Sequence, residues 1–267
     1  MTLQRDEYGT LRVSRDGPVA TVTLARPEVR NAFDEAMIGD LTAAFMALGQ
    51  APGIRAVVLT GDGKTFCAGA DVSWMRRAAG YSPEDNREDA RRMARMLRTI
   101  DTCPRPVIGS IRGAAIGGGV GLAAVCDIAI AARGTVFSLA EVKLGILPAA
   151  ISPYVLRAIG PRNARDLFLT GERFDADEAR RVGLVHAVAE DADLEAAVGR
   201  KIDALLSSGP EAVAAAKRLI DTVTPMTIDA AFPITADAIA ERRASDEGRE
   251  GLSAFLEKRK PSWSGAR

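Results

Sequence analysis

The sequence predicts an α/β fold in which ββα units coil into a spiral, followed by a helical carboxyl-terminal region. Two patterns predict it. From about residue 50 to 140, compact apolar runs suited to buried strands alternate with glycine turns and with stretches of helical spacing. After Glu141 the periodicity turns helical. The 267 residues, 47% hydrophobic and 26% charged, can bury about three quarters of the unfolded surface, so a substantial core is expected and a disordered or low-complexity chain is not.

The β-branched runs at 11–14 and 19–24 flank Asp16, Gly17 and Pro18 and suit an amino-terminal hairpin. Asp34 can cap a helix in which Met37, Ile38, Leu41, Phe45 and Leu48 recur at helical spacing, and Pro52 with Gly53 stops it. Residues 54–60 read as a buried strand, turned out by Gly61, Asp62 and Gly63. A helix at 83–100 is amphipathic, with Met93, Met96, Leu97 and Ile100 on one face and Arg87, Arg91, Arg95 and Arg98 elsewhere. Glu84, Glu88 and Asp89 are interleaved with these arginines, which predicts an exposed, ion-paired face rather than a phosphate site. A strand at 107–111, a glycine-rich segment, a helical run at 120–126 and a strand at 128–132 follow. Helices are expected at 163–169, 176–182, 193–206, 210–220, 228–243 and 248–258. Ser208, Gly209 and Pro210 make the clearest break, with Pro210 suited to a first helical position, so a core of 1–207 and a helical region of 208–267 are expected.

Thirty-five Lys plus Arg balance thirty-five Asp plus Glu, so nucleic acid and anionic membranes are not expected partners. Cys67, Cys103 and Cys126 are too few for a disulfide framework and lack zinc-site spacing, which points to the reducing cytoplasm and to no metal. Residues 1–9 mix Arg5, Asp6 and Glu7 without an apolar stretch and resemble no signal or transit peptide. The longest uncharged segment, 113–126, is fourteen residues with five glycines, short of the roughly 20 apolar residues that span a bilayer.

The one histidine, His186, ends a strand-like Leu184, Val185 pair and has no nucleophile elbow beside it, so a structural role is expected. A proton carrier working near neutral pH is then sought among carboxylates. Gly117, Gly118 and Gly119 lie between a strand and an apolar helical run, without the G-x-G-x-x-G spacing or a Walker lysine, so nucleotide binding ranks low. Glycines at a helix start allow amides to approach a ligand oxygen, although a tight turn with close helix packing explains the run equally well. The small-residue loop Phe66, Cys67, Ala68, Gly69, Ala70, Asp71 can supply a second amide. Two N–H groups from separate loops can hold an oxygen that gains charge, worth about 3–4 kcal/mol per donor.

With these residues in view, FCAGAD at 66–71, IGGGVGLAAVCD at 116–127 and SLAEVKLGILP at 138–148 resemble the crotonase, or enoyl-CoA hydratase/isomerase, superfamily. RPEVRNAF at 26–33, GERFDADEARRVGLV at 171–185 and the lysine-bearing last helix follow in family order. The resemblance implies a crotonase-like spiral core, a homotrimer or dimer of trimers, and an acyl-CoA thioester substrate. CoA then enters as part of the substrate, and no separate cofactor is implied. It places the oxyanion-hole amides at Ala70 and Gly118, and the CoA pocket at Ala68, Ala70, Asp71 and Val72, with Arg30 and Lys258 as weaker matches near the phosphates. Lys258 can serve a neighbouring subunit.

The resemblance also places a catalytic glutamate at Glu141. Family hydratases carry a second one in the helix after the glycine run, where this sequence has Gly121. One glutamate is compatible with hydration, with Δ3,Δ2-enoyl-CoA isomerisation, and with members whose other catalytic group comes from elsewhere. A catalytically silent acyl-CoA-binding member is a further alternative. For Asp71, helix capping is expected over proton transfer. The combination of AGADVSWM, GGVGL, EVKLGILPAAISPYV and EGLSAFLEKRKPSW resembles bacterial hydratases of branched, carboxylated enoyl-CoAs, of the methylglutaconyl-CoA and carboxygeranoyl types, with leucine degradation as the implied setting.

Overall fold

The computed structural model describes residues 8–265. The reading of the amino terminus falls mainly on residues 1–7, outside the described residues. Strands β1 (Leu11–Asp16) and β2 (Val19–Leu24) form the antiparallel hairpin, with Gly17 at φ 53° in its turn. Helix α1 (Glu35–Gln50) starts where the Asp34 carboxylate accepts from the Met37 amide, and it buries Met37, Leu41 and Phe45. It returns the chain to β3 (Ala56–Gly61), parallel to β2.

Helices α2 (Val72–Ala78) and α3 (Pro83–Asp101) precede β4 (Val107–Ile111), β5 (Ala114–Ile116), α4 (Gly118–Ala124), β6 (Ile128–Ala132) and β7 (Val136–Ser138). Then come α5 (Ser152–Thr170), β8 (Arg173–Asp175), α6 (Ala176–Val182) and β9 (Ala187–Ala189). Helices α7 (Leu194–Leu206), α8 (Pro210–Val223), α9 (Ile228–Ala244) and α10 (Asp246–Leu256) close the chain.

The strands lie in two sheets, one ordered β1-β2-β3-β4-β6-β9 and one ordered β5-β7-β8. Each turn of the chain leaves one strand in each sheet: β4 then β5, β6 then β7. This is the spiral. The step between sheets is made at Gly113, which has φ 76° and whose added Cβ would lie 1.7 Å from the Lys64 carbonyl oxygen. Only glycine fits there. Isolated bridges Cys67–Ala115 and Phe33–Ala70 carry the smaller sheet's pairing back into earlier turns of the spiral. Phe33, Phe45, Phe66 and Phe137 are fully buried, and Phe137 stacks on Phe174 at 5.6 Å between centroids.

The structure corrects several element boundaries. Strands β5, β7 and β8 are three residues each, too short to show a period of two. Helix α5 begins at Ser152, well before 163, because Gly160 at φ 71° kinks one helix into another instead of opening a loop. Leu184 and Val185 precede the strand: Gly183 ends α6 in the left-handed region, the Leu184 amide bonds back to Ala179, and both side chains enter the core. The strand starts after His186, whose Nδ1 accepts from the Ala129 amide, a structural bond. Helix α4 starts at Gly118, before Val120. Helix α10 ends at Leu256, so Lys258, at φ 56°, lies beyond it.

Arg55 anchors the carboxyl-terminal helices, donating to the carbonyls of Leu206, Ser208 and Trp263, and Lys217 of α8 pairs with Asp127 at 2.7 Å. Among the described residues no helix is long and apolar enough to cross a membrane, and no cluster of His, Cys, Asp or Glu is arranged to hold a metal ion.

Candidate active site

The edge of the short sheet, the start of α4, helix α3 and the segment 140–151 enclose a cavity of about 360 Å³. Its walls include Ala68, Ala70, Gly118 and Glu141, brought together from three separate stretches of sequence. Ala68, Gly69 and Ala70 sit there because their segment is pinned on both sides. The Phe33 amide donates to Gly69 O at 2.7 Å, and the Asp71 amide donates to Phe33 O at 2.7 Å. The Ala70 N–H shares a trans peptide with the Gly69 carbonyl that faces Phe33, so it points away from Phe33.

The Gly118 N–H opens α4 and has no carbonyl a turn behind it. Neither amide makes a hydrogen bond among the described residues. The two loops touch: a Cβ added to Gly69 would lie 3.9 Å from the Gly118 nitrogen and 2.8 Å from Ile116 O. At Gly118 itself an added Cβ would meet Phe33 Cε2 at 2.7 Å and Met93 Cε at 3.1 Å, so glycine leaves this nitrogen accessible to the cavity.

Glu141 lies in the one-turn helix Ala140–Leu144 that follows β7. Its Oε1 is 3.0 Å from where a Cβ of Gly117 would stand, next to the Gly118 amide. Its Oε2 is buried without a hydrogen-bond partner. Burial holds the Glu141 carboxyl above its ordinary value, its own backbone amide offsetting only part of that. Among the described residues Glu141 Oε2 has no polar partner, and Lys143 lies against Gly171, its Cε 3.1 Å from where a Cβ there would stand. An unpaired carboxyl of raised pKa opposite two free amides can move a proton beside an oxygen that gains charge.

The structure does not bring the other expected residues to this wall. Asp71 is a helix cap: its Oδ1 accepts from the Ser73 amide at 2.7 Å and the Trp74 amide at 3.2 Å. Arg26 spans it and Asp34, at 3.2 and 2.8 Å, and so ties the starts of α2 and α1 together. Val72 is exposed and outside the lining. The Arg30 side chain is exposed, although its carbonyl accepts from the Ala68 amide at 3.0 Å. Lys258 lies outside this cavity.

The bonds of Asp71 carry a testable consequence. Burial alone raises its carboxyl, but the Trp74 and Ser73 amides and Arg26 together bring it below the ordinary 3.8. A carboxyl lowered in the folded state stabilises above its ordinary value, and that contribution is lost as pH falls through the folded value. Asp71→Ala is therefore expected to cost about 1–2 kcal/mol at neutral pH. Chemical denaturation at pH 7 and pH 3 checks it, with the difference from the parent protein shrinking at the lower pH.

Among the lining residues not expected from sequence are Trp74 of α2 and Asp89 of α3. Glu84 and Glu88 do pair with arginines 87, 91, 92 and 95 on the exposed side of α3, as the charge pattern implied. Asp89 does not. It stands four residues before Met93 and eight before Leu97, in phase with the apolar face, and that phase was the available signal. At Gly121 an added Cβ would lie 2.1 Å from Ile151 Cγ2, so the volume of any side chain there is already filled.

Comparison with known proteins agrees with this architecture. The model of the enoyl-CoA hydratase/isomerase family matches residues 14–266. A crystal structure of an enoyl-CoA hydratase from Shewanella pealeana superposes with a TM-score of 0.93 at 41% identity, covering 96% of this chain and 97% of that one. Pseudomonas aeruginosa AtuE gives 0.92 at 41% identity, over 96% and 99% of the two chains. A crotonyl-CoA hydratase of Syntrophomonas wolfei is 34% identical over 96% of this chain and 98% of its own length. Spiral, site loops and full-length matches agree, and the chain belongs to the enoyl-CoA hydratase/isomerase family.

Proposed function

We propose that the protein hydrates α,β-unsaturated acyl-CoA thioesters, with the amides of Ala70 and Gly118 as the oxyanion hole and Glu141 as the acid–base. The observation that carries this is Glu141 Oε2, buried and unpartnered on the wall that also holds the two unpaired amides. The thioester oxygen accepts from both N–H groups, which draws electron density from Cβ. Glu141, ionised, takes a proton from water as its oxygen bonds to Cβ. The π electrons move to the thioester oxygen and form an enolate. Glu141 then gives the proton to Cα, and the carbonyl re-forms. The product is a 3-hydroxyacyl-CoA with one water added and Glu141 regenerated. No cofactor beyond the CoA of the substrate takes part in this scheme.

For the CoA moiety, Ala68 and Ala70 line the cavity and Asp71 and Val72 continue the same segment outward. Arg30 is assigned to the phosphates; its exposed side chain and its backbone bond to the Ala68 amide support this. Lys258 is assigned to a neighbouring copy's site. Exposed Ile220, Ile228, Phe232, Phe255 and Leu256 on the carboxyl-terminal helices support a homotrimer or dimer of trimers built through 208–267, packed on the core of 1–207. The buried free thiols Cys67, Cys103 and Cys126 support the cytoplasm as its compartment.

The finer reading is a branched, carboxylated substrate of the methylglutaconyl type, as in leucine degradation. The charge of the lining weighs against it. Asp89 and Glu141 line the cavity and no Lys or Arg does, so a substrate carboxylate held there would be a third like charge without a partner. The walls favour a neutral acyl group, and kcat/KM for crotonyl-CoA is expected to exceed that for methylglutaconyl-CoA. Steady-state assay of both checks this, and the reverse order restores the carboxylated reading. Turnover of crotonyl-CoA in ¹⁸O-labelled water is expected to place label at C3. Conversion of a 3-enoyl-CoA to its 2-enoyl isomer with no hydration of crotonyl-CoA would assign an isomerase instead.

A further inference from the structure

Given that reading of the cavity, its wall also bears on what the acyl group carries. Helix α3 presents Asn86, Asp89 and Met93 along the wall. Two contacts order them: Leu97 Cδ2 lies 3.7 Å from an added Cβ of Gly121, and Met93 Cε lies 3.1 Å from one of Gly118. Asp89 is one turn before Met93, hence about 5 Å further along the wall from the Gly118 amide. Trp74 of α2 borders the same cavity. It is 8% exposed, and its indole Nε1 is buried without an acceptor. Asp89 has no ion-pair partner among the described residues, in contrast to Glu84 and Glu88 on its own helix. Burial raises the Asp89 carboxyl and the nearby indole N–H of Trp74 draws it back without closing a well-formed hydrogen bond, while Glu35 adds to the rise and Arg92 opposes it more weakly.

The wall therefore offers an indole donor without a well-formed hydrogen bond and a half-buried carboxylate outside any ion pair among the described residues, side by side on a largely apolar lining. A hydroxyl both donates and accepts, so a single hydroxyl satisfies the two at once. A ketone oxygen would serve only the indole, and a methyl group neither. We propose that Trp74 and Asp89 together bind a hydroxyl on the acyl chain beyond the double bond. The substrate class is then a neutral enoyl-CoA hydroxylated at roughly C4 to C6, the reach of about one helical turn from the thioester.

Calorimetric titration of the full chain with hexanoyl-CoA and 5-hydroxyhexanoyl-CoA tests this without requiring turnover. The parent protein is expected to bind the hydroxylated thioester about tenfold more tightly, as two hydrogen bonds to otherwise unsatisfied groups imply. Trp74→Phe and Asp89→Leu are each expected to bring that ratio down to about one to three. Because the ratio is taken within one variant, loss of folded protein cancels. Equal affinities in the parent protein, or a preference that survives both substitutions, overturns the proposal. Hydration of crotonyl-CoA is assayed alongside. Turnover without a hydroxyl preference rejects this inference alone, and a preference without turnover rejects only the hydratase reading.

Discussion

Replacing Glu141 by Gln is expected to lower kcat for crotonyl-CoA by about a thousandfold, within the range that general acid–base groups supply. Gln keeps the shape of the side chain and cannot accept the water proton. The oxyanion amides are untouched, so KM is expected to change little and the loss to fall on kcat. The same carboxyl sets the acid limb of the parent enzyme. Burial raises Glu141 above its ordinary 4.5, so kcat/KM is expected to fall as pH drops through that raised value, well before free glutamate would protonate. Stability moves the other way. A buried acid with a raised pKa opposes folding increasingly as pH climbs above its ordinary value, because the folded state disfavours the charged form. E141Q is therefore expected to melt no lower than the parent protein at pH 7.5, which separates lost chemistry from lost fold. Near-normal turnover in the folded, thioester-binding variant would remove Glu141 from the mechanism.

Much of this site was legible before any coordinates. The loop carrying Ala68 and Ala70, the glycines around Gly118 and the segment carrying Glu141 each show as local sequence, and the fold brings all three to one cavity. The long buried strands showed as apolar runs, and the caps Asp34 and Asp71 as acids before helical spacing. The unread parts share a physical cause: they depend on direction or on contact across the fold. Asp89 sits among charges that do form an exposed ion-paired face, and only its phase with Met93 and Leu97 turns it inward. The strands of the smaller sheet are three residues long, and cross-chain pairing such as Cys67 with Ala115 defines them, not composition. The pattern extends the last helix to Lys258, whereas the helix stops two residues earlier, because the left-handed turn at Lys258 leaves no signal in an Arg- and Lys-rich tail.

Introducing Glu at position 121, where the resemblance places a second hydratase glutamate, is expected to lose the fold rather than gain rate. Gly121 lies inside α4, and an added Cβ would stand 2.1 Å from Ile151 Cγ2 and 2.9 Å from Ile151 Cβ. Ile151 is 1% exposed and fixes the start of α5, where the Val155 amide donates to its carbonyl at 3.1 Å, so it has little room to withdraw. Even Gly121→Ala, which should gain up to about 1 kcal/mol of helix propensity, is expected to be destabilised on balance, because overpacking costs about 1–3 kcal/mol. Gly121→Glu adds a carboxylate with no cation on the cavity wall and is expected to yield little folded protein. Pairing it with Ile151→Ala removes the clashing branch and should restore part of the lost melting temperature. A rise in melting temperature for Gly121→Ala alone would show that Ile151 rotates away at low cost. If instead the double variant folds and gains no rate, an empty place at 121 was never what limited this chain. Glycine at 121 and isoleucine at 151 are then one packed pair, and the chemistry rests on the lone carboxyl of Glu141.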